Sequence, residues 1–355
     1  MYAEAAINHN GFSLVKMRVK LLGTALAVSS FIAVGWFAFR ALRLDVSLHE
    51  VRWVLFGAAI ALQLVVVLAL PYLWVRLLGF LGGRTLNEIG EAGKLAHYKA
   101  YSRSWLARYI PGRIWTFGGR MLLAKKLGIP SVLVLRSMAF EIIFSYGTLA
   151  IIGVSLLLVA QTHLLFGGLT LALGAVFLSV GIPVAQRMLS SDKTAALLRY
   201  PFLRRAHQLT STLVVGEAVL SRRNSGWGVA AYGLHSCLQV AFVILLSASF
   251  TDLTVEQAAI VGAAWALSVS VGYFTFLTPA GLGVRDGIAL ALFSQALDAP
   301  TAGLIVASSR VVSIVGDVAF VGAVEAWNMF AMARAGGFRK NPRRAGLAPK
   351  SLWRQ

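Results

Sequence analysis

Residues 53–75 read WVLFGAAIALQLVVVLALPYLWV, a run of 23 residues without a charged side chain. An α-helix rises about 1.5 Å per residue, so roughly twenty apolar residues cross the hydrocarbon core of a bilayer. A strand of a membrane β-barrel would instead alternate apolar and polar residues over about ten positions. This run does not alternate, and it therefore predicts a membrane-spanning helix.

Further apolar runs of similar length occur along the chain, and the composition agrees with them. Of the 355 residues, 58% are hydrophobic and 13% are charged, whereas soluble domains carry about 25% charged residues. The predicted fold class is therefore all-α, a polytopic integral membrane helical bundle. The predicted spans are 21–39, 53–75, 137–159, 164–184, 227–249, 257–278 and 302–327, with a shorter apolar piece at 286–297.

The basic residues alternate along the chain and predict its topology. Of the 33 Lys and Arg residues, 28 lie in residues 1–20, 76–136 and 185–226 and in the tail from Arg334. Positive charge stays on the cytoplasmic side during insertion, so we expect an N-in and C-in multi-pass protein of the cytoplasmic (plasma) membrane. The predicted parts are a cytoplasmic N-terminal segment (1–20), a single transmembrane domain (21–330) and a basic cytoplasmic tail (331–355).

The net charge of +19 lies in loops between apolar runs rather than on a soluble domain. A nucleic-acid partner would call for a basic patch on a folded domain, so we expect no nucleic acid. Basic loops beside a bilayer attract anionic lipid instead. The expected partners are therefore membrane lipids, and in particular anionic ones.

Two regions interrupt the simple pattern of spans. Region 95–127 is half polar and contains Pro111-Gly112, and region 257–297 contains the sequence TPAGLG at 278–283. Each could be an ordinary kinked loop, since proline and glycine are tolerated in membrane helices. Each could instead be a broken or re-entrant hairpin, the first entering from the cytoplasm and the second from outside. The chain would then have six full spans plus two hairpins, or eight spans if both apolar pieces of the second region cross.

Few ionisable residues lie at membrane depth, and each costs at least about 2.5 kcal/mol there on insertion scales. They could form structural ion pairs, for example Arg285 with Glu141 or Arg310 with Asp286. The arginines could instead bind a lipid phosphate, because the planar guanidinium group matches phosphate oxygens. Arg310 and Asp317 are seven residues apart and are expected on one helix face. The ionisable residues at this depth are Arg113, Arg120, Glu141, Arg285, Asp286, Arg310, Asp317 and Glu325.

Several signatures of other functions are missing from the sequence. There is no phosphate-binding GxxxxGKS or GxxxxGKT loop, so ATP hydrolysis is not expected. The six histidines have no metal-ligand spacing, and we expect no metal and no cofactor. Cys237 is the single cysteine and is expected to be a small buried hydrophobe. No catalytic group stands out. With no nucleotide site, any transport would be passive or driven by an ion or by membrane potential.

The two interrupted regions carry a resemblance to a known family. Residues 108–115 read RYIPGRIW and are followed by Gly119-Arg120 and by KLGI at 126–129; residues 279–286 read PAGLGVRD. These motifs, about 170 residues apart, resemble the two signatures of the flippase-like family named for the transmembrane region of lysylphosphatidylglycerol synthase. The chain departs from that family at Ala280 and Asp286. The family's acid–arginine pattern on the third span reads Glu141-Ile142 here.

The resemblance, over roughly residues 15–335, implies translocation of anionic phospholipid or polyprenyl-linked lipid between leaflets. It does not imply aminoacyl transfer, which belongs to a separate soluble domain, and we expect a transporter rather than an enzyme. We expect Glu141, Asp286 and Asp317 to support the arginines. The candidate lipid-binding residues are Tyr109, Pro111, Gly112, Arg113, Trp115, Arg120, Pro279, Gly281, Gly283, Arg285 and Arg310.

Two other functions are open at this point. The chain could be an accessory or scaffold protein for a glycosyltransferase or another envelope-lipid enzyme, with its basic loops as docking surfaces. It could also be a membrane-embedded transferase. That function would need a base near a cytoplasmic cleft, for which Glu88, Glu91 and His97 are the nearby candidates.

Overall fold

The computed structural model of the chain is helical throughout the part that it describes, with 89% helix and no strand there. Six of these helices are long and apolar enough to cross a membrane, which agrees with the predicted fold class. The predicted span 21–39 and the basic tail from residue 335 onward lie outside the described residues, whereas residues 331–334 continue the last helix. The described residues are 51–83, 86–110, 114–161, 163–189, 220–274 and 283–334.

The helices follow the apolar runs but extend beyond most of them. The α-helices are α1 Trp53–Leu81, α2 Leu86–Trp105, α3 Ile114–Lys126, α4 Ser131–Ala160, α5 Leu164–Leu189, α6 Arg222–Ala248, α7 Val255–Phe274, α8 Val284–Phe293 and α9 Ala299–Arg334. A short 3₁₀-helix, Leu106–Tyr109, follows α2. The six helices with span character are α1, α4, α5, α6, α7 and α9.

The KLGI motif ends α3 for a local reason. The Ile129 N–H donates to the Ala124 carbonyl at 3.2 Å, and the Gly128 N–H donates to the Lys125 carbonyl at 3.0 Å. Gly128 has a φ of 82°, which a residue without a Cβ adopts at low cost. These two bonds form the Schellman motif that ends many helices, and Pro130 then precedes α4.

The two ends of the bundle carry different charge. At one end, Arg52 before α1 forms an ion pair with Asp252 before α7. At the opposite end, Lys99 and Arg103 of α2 form ion pairs with Glu325 of α9. We call the end with the Glu325 ion pairs the basic end, because the other described lysines and arginines that flank the helices lie there. Arg52 is the one Lys or Arg at the first end within the described residues.

Region 95–127 forms a helical hairpin that enters the bundle from the basic end. Along α2 the contacts move inward, since Arg103 contacts Glu325 whereas Trp105 contacts Asp317, eight residues deeper on α9. Helix α3 then returns beside α2, with Arg120 donating to Ser104 Oγ at 3.3 Å. Trp105 and the 3₁₀-helix that follows it, which we call the tip of the hairpin, therefore lie at the level of Asp317, midway along α9.

In region 257–297, the described helices α7 and α8 lie side by side as a second hairpin that enters from the opposite end. The Gln257 side chain in the first turn of α7 donates to the Ala296 carbonyl beyond α8 at 3.0 Å. Farther in, Gly272 of α7 lies directly beside Arg285 of α8. Helix α8 has ten residues and is about 15 Å long, half the thickness of a bilayer core. This length favours the hairpin prediction over eight spans, while the total number of spans and their orientation stay predictions.

Close contacts between helices occur at glycines. A Cβ on Gly228 of α6 would lie 2.7 Å from the ring of Phe144 on α4. A Cβ on Gly153 of α4 would lie 3.0 Å from Leu267 of α7. Small residues that let backbones approach are typical of membrane helix interfaces. Cys237 does not join this packing: its side chain is exposed, so the expectation of burial was wrong.

We predict that Gly228→Ala destabilises the bundle, because the added methyl group must displace the Phe144 ring. Overpacking of this kind costs about 1–3 kcal/mol, more than the roughly 1 kcal/mol that alanine gains in helix propensity. Gly233→Ala on the same helix is the matched control, since a Cβ there meets nothing within 4 Å. Thermal unfolding of both purified variants measures the difference. A Gly228→Ala protein as stable as Gly233→Ala would contradict the described α4–α6 contact.

Candidate functional site

A cavity of about 140 Å³ lies inside the bundle, well above the roughly 10–15 Å³ that one water molecule needs. Its lining comes from both hairpins and from the middle of the long helices. Arg108 and Arg120 of the first hairpin face it, as do Trp265 and Arg285 of the second. The other polar lining residues are Gln63, Trp105, Thr116, Glu141, Ser145, Tyr146, His235, Gln239, Tyr273, Ser313 and Asp317.

Glu141 and Arg120 form a buried ion pair on one wall of the cavity. Arg120 Nη1 lies 2.5 Å from Glu141 Oε2, and the Tyr101 hydroxyl donates to Glu141 Oε1 at 2.6 Å. The Arg120 guanidinium also lies 3.9 Å from the centre of the Tyr101 ring, a cation–π contact. Both carboxylate oxygens of Glu141 are therefore bonded. The expected pair of Glu141 with Arg285 does not form; Arg120 of the first hairpin takes that place.

Asp317 of α9 binds the tip of the first hairpin. Its Oδ1 accepts from Trp105 Nε1 at 2.8 Å, and its Oδ2 accepts from the Tyr109 hydroxyl at 2.6 Å. Arg108 Nη1 lies 3.5 Å from the same Oδ2, with its guanidinium 4.5 Å from the centre of the Trp105 ring. A carboxylate that is 1% exposed thus has partners on both oxygens.

Arg310 and Asp286 form the second predicted ion pair. Arg310 Nε donates to Asp286 Oδ1 at 2.6 Å, and Nη2 donates to Oδ2 at 2.9 Å. The bidentate geometry is the strong form of this pair. Asp286 Oδ2 also accepts from the Gly283 N–H at 3.3 Å at the start of α8. Arg310 and Asp286 do not line the cavity; they connect α8 to α9.

Arg285 differs from the other buried arginines. It is 7% exposed, and its Nε and Nη2 atoms are buried without a hydrogen-bond partner in the described part of the chain. No described carboxylate lies within ion-pair distance of it. Its guanidinium lies 4.2 Å from the centre of the Trp265 ring, and the Trp265 Nε1 atom is likewise buried without a described partner. The cavity therefore contains one cation without a counter-charge among these residues.

A chain of neutral polar groups lies between α1 and α6. Gln239 Nε2 donates to His235 Nδ1 at 3.2 Å, and His235 Nε2 lies 3.2 Å from the Val66 carbonyl. A carbonyl can only accept, so Nε2 carries the hydrogen and Nδ1 accepts. One donor and one acceptor make a neutral imidazole. His235 therefore adds no charge to the cavity.

The structure brings together only part of the set of residues that the sequence predicts. Arg120, Glu141, Arg285 and Asp317 all line the cavity. Trp115 is 44% exposed and does not line it. Tyr109 and Gly283 contribute through Asp317 and Asp286, as described above. Pro111, Gly112, Arg113, Pro279 and Gly281 lie outside the described residues.

Sequence reasoning missed several lining residues. Gln63, His235 and Gln239 are single polar residues inside apolar runs, and such residues usually face the interior of a helical bundle. That signal was present in the sequence. In the sequence, Arg108 is part of the RYIPGRIW motif, and its contact with Asp317 depends on the tertiary arrangement.

His97, one of the three bases considered for a transferase, does not face a cleft. It is 2% exposed, and its Nδ1 lies 2.5 Å from the Gly93 carbonyl. Burial lowers the pKa of His97 below its ordinary value, which makes the ring neutral at pH 7. The side chains of Glu88 and Glu91 lie outside the described residues. Within the described part, the structure provides no organised base for the transferase interpretation.

Comparison of the chain with protein-family models, with curated proteins and with solved structures finds no match in any of the three. The resemblance to the flippase-like family therefore stays a prediction based on the two motifs.

We predict that Glu141→Gln destabilises the protein far more than Glu325→Gln. The first change leaves Arg120 buried without its counter-charge, and loss of one partner of a buried pair costs about 3–5 kcal/mol. Glu325 belongs to a pair whose arginine is half exposed, and such pairs contribute up to about 1 kcal/mol. Unfolding in detergent with increasing denaturant compares the two variants. Equal stability of the two would show that the Arg120–Glu141 pair contributes no more than a surface pair.

Proposed function

We propose that this chain is a lipid-translocating membrane protein that binds the phosphate of an anionic lipid in its central cavity. The observation that carries the proposal is that the buried guanidinium of Arg285 has no counter-charge among the described residues. A buried guanidinium without a counter-charge is costly, and membrane proteins place such charges where a ligand or an ion passes. Its planar group suits the oxygens of a phosphate. A bound anionic head group would supply the counter-charge that the described residues lack.

The position of the cavity supports transport rather than surface binding. Its lining residues Gln63, His235 and Asp317 lie near the midpoints of α1, α6 and α9, so in a bilayer the cavity would lie close to the midplane. The two hairpins enter from opposite ends and both contribute to the lining. Broken helices that meet in the middle of a bundle are a feature of transporter binding sites.

The arginines of the bundle take different roles in this proposal. Arg108, Arg120 and Arg310 each have a carboxylate partner, so they position the hairpins and the start of α8. Arg285 is the residue that contacts phosphate. The stacking of its guanidinium on Trp265 fixes its orientation without neutralising it. The scaffold interpretation requires no such cation inside the bundle.

We predict that Arg285→Gln abolishes enrichment of anionic lipid on the purified protein. One charge-assisted contact contributes about 1.5–3 kcal/mol, so the enrichment over bulk membrane should fall by at least about tenfold. The variant should be as stable as wild type or more so, because the change removes a buried unpaired charge. Native mass spectrometry with lipid analysis measures the bound species, and loss of a fluorescent lipid from one leaflet of a vesicle measures translocation.

Arg52→Gln is the matched control, since it removes a guanidinium from an exposed ion pair at the end of the bundle. It should keep the wild-type lipid profile. If wild-type protein carries lipids in the same proportions as the membrane, the cavity does not select an anion. The scaffold function would then explain the chain better.

We also predict that Gly272→Ala lowers lipid enrichment without altering any charge. A Cβ at Gly272 would lie 2.7 Å from Arg285 Cβ and 3.3 Å from its Cα, so Arg285 must move. Gly287→Ala on α8 is the control, because a Cβ there meets nothing within 4 Å. Lipid profiles of the two variants give the test. Equal enrichment would show that binding does not depend on the position of Arg285.

A further inference from the structure

In the described cavity lining, positively charged side chains outnumber negatively charged ones. Its three guanidinium groups belong to Arg108, Arg120 and Arg285, and its two carboxylates belong to Glu141 and Asp317. His235 is neutral by its hydrogen bonds. The lining thus has one net positive charge, which matches a ligand with a single negative charge. A phosphate monoester carries more than one negative charge at pH 7, and a zwitterionic head group carries none.

Both carboxylates of the lining already bind donors of the protein. Both oxygens of Glu141 are bonded, to Tyr101 and to Arg120. Both oxygens of Asp317 are bonded to groups of the first hairpin. An ammonium group on the ligand would therefore compete with these donors for each of the two described carboxylates. Head groups with an amine are disfavoured on this ground.

The cavity offers neutral hydrogen-bonding groups instead. Gln63 is 8% exposed and lines the cavity, and its amide forms no hydrogen bond with any described residue. Gln239 uses one amide hydrogen on His235, and its remaining hydrogen and its oxygen have no partner among the described residues. Amide groups that both donate and accept suit hydroxyls, which do the same. These amides lie in the same cavity as Arg285.

We infer that the cavity selects a phosphodiester with one negative charge whose head group is uncharged and carries hydroxyls. This inference rests on the proposed function and narrows its substrate class. Arg285 binds the phosphodiester, and Gln63 and Gln239 bind the hydroxyls. A phosphatidylglycerol and a polyprenyl phosphate joined to a sugar both have this chemistry.

Competition binding with defined lipids tests the inference on protein in detergent. The probes are phosphatidylglycerol, a polyprenyl phosphohexose, phosphatidylmethanol, phosphatidic acid and phosphatidylethanolamine. Phosphatidylmethanol has the same charge as phosphatidylglycerol but no hydroxyl, so it isolates hydroxyl recognition. We expect a hydroxylated diester to bind about three- to tenfold more tightly than phosphatidylmethanol, as one or two net hydrogen bonds allow. The stronger of the first two probes identifies the lipid class.

Gln63→Met should weaken this preference, because only Gln239 then remains to bind the hydroxyls, while keeping the preference for phosphatidylmethanol over phosphatidylethanolamine. Gln161→Met, an exposed position at the end of α4, is the control and should keep both preferences. If Gln63→Met folds poorly, Gln63→Asn is the second variant. It retains the amide on a shorter side chain and should keep part of the hydroxyl preference.

The outcomes of the competition experiment distinguish failure of the inference from failure of the proposed function. If wild type binds phosphatidylmethanol and both hydroxylated diesters equally, the inference is wrong and the proposed anion site stands. If phosphatidic acid binds most tightly, the assignment of a single negative charge is wrong. If no anionic probe exceeds phosphatidylethanolamine, the proposed function fails together with the inference.

Discussion

The buried pair of Arg120 and Glu141 is the interaction on which the site depends. A charge inside a bilayer must be neutralised or solvated by protein, and these two side chains neutralise each other across two elements. The pair, with the Tyr101 hydroxyl, attaches the first hairpin to α4. Asp317 attaches the tip of the same hairpin to α9. Because the hairpin is connected at both places, its polar groups form a wall of the cavity.

The need to neutralise a buried charge distinguishes Arg285 from the other arginines of the site. The structure supplies a carboxylate for each other arginine of the cavity wall, and for Arg310 behind it. Arg285 has only the face of the Trp265 ring within the described residues. A packed bundle would gain stability by replacing it with an apolar residue. Among the described residues, the cavity thus contains one cation without a counter-charge, beside two ion pairs and several neutral polar groups. The amides of Gln63 and Gln239 belong to these neutral groups.

Hydropathy predicted the long helices well because it measures the property that places them in a membrane. The run 53–75 became the helix Trp53–Leu81, longer because the helix continues past the apolar core. The pair of Arg310 with Asp286 was predicted correctly, whereas that of Arg285 with Glu141 was wrong. Pairing depends on which helices are neighbours, and spacing along one chain does not encode that. Gln63 was missed because an average over an apolar run hides a single amide.

The short helix α8 also constrains the order in which the chain can be assembled. A helix of ten residues that carries Arg285 is too short and too polar to leave the protein-conducting channel for lipid by itself. It must enter together with α7, or wait at the membrane surface until α9 provides Arg310 for Asp286. One side of the cavity is therefore completed only after most of the chain has been synthesised. The cavity that contains the proposed lipid site is therefore among the last parts of the bundle to be assembled.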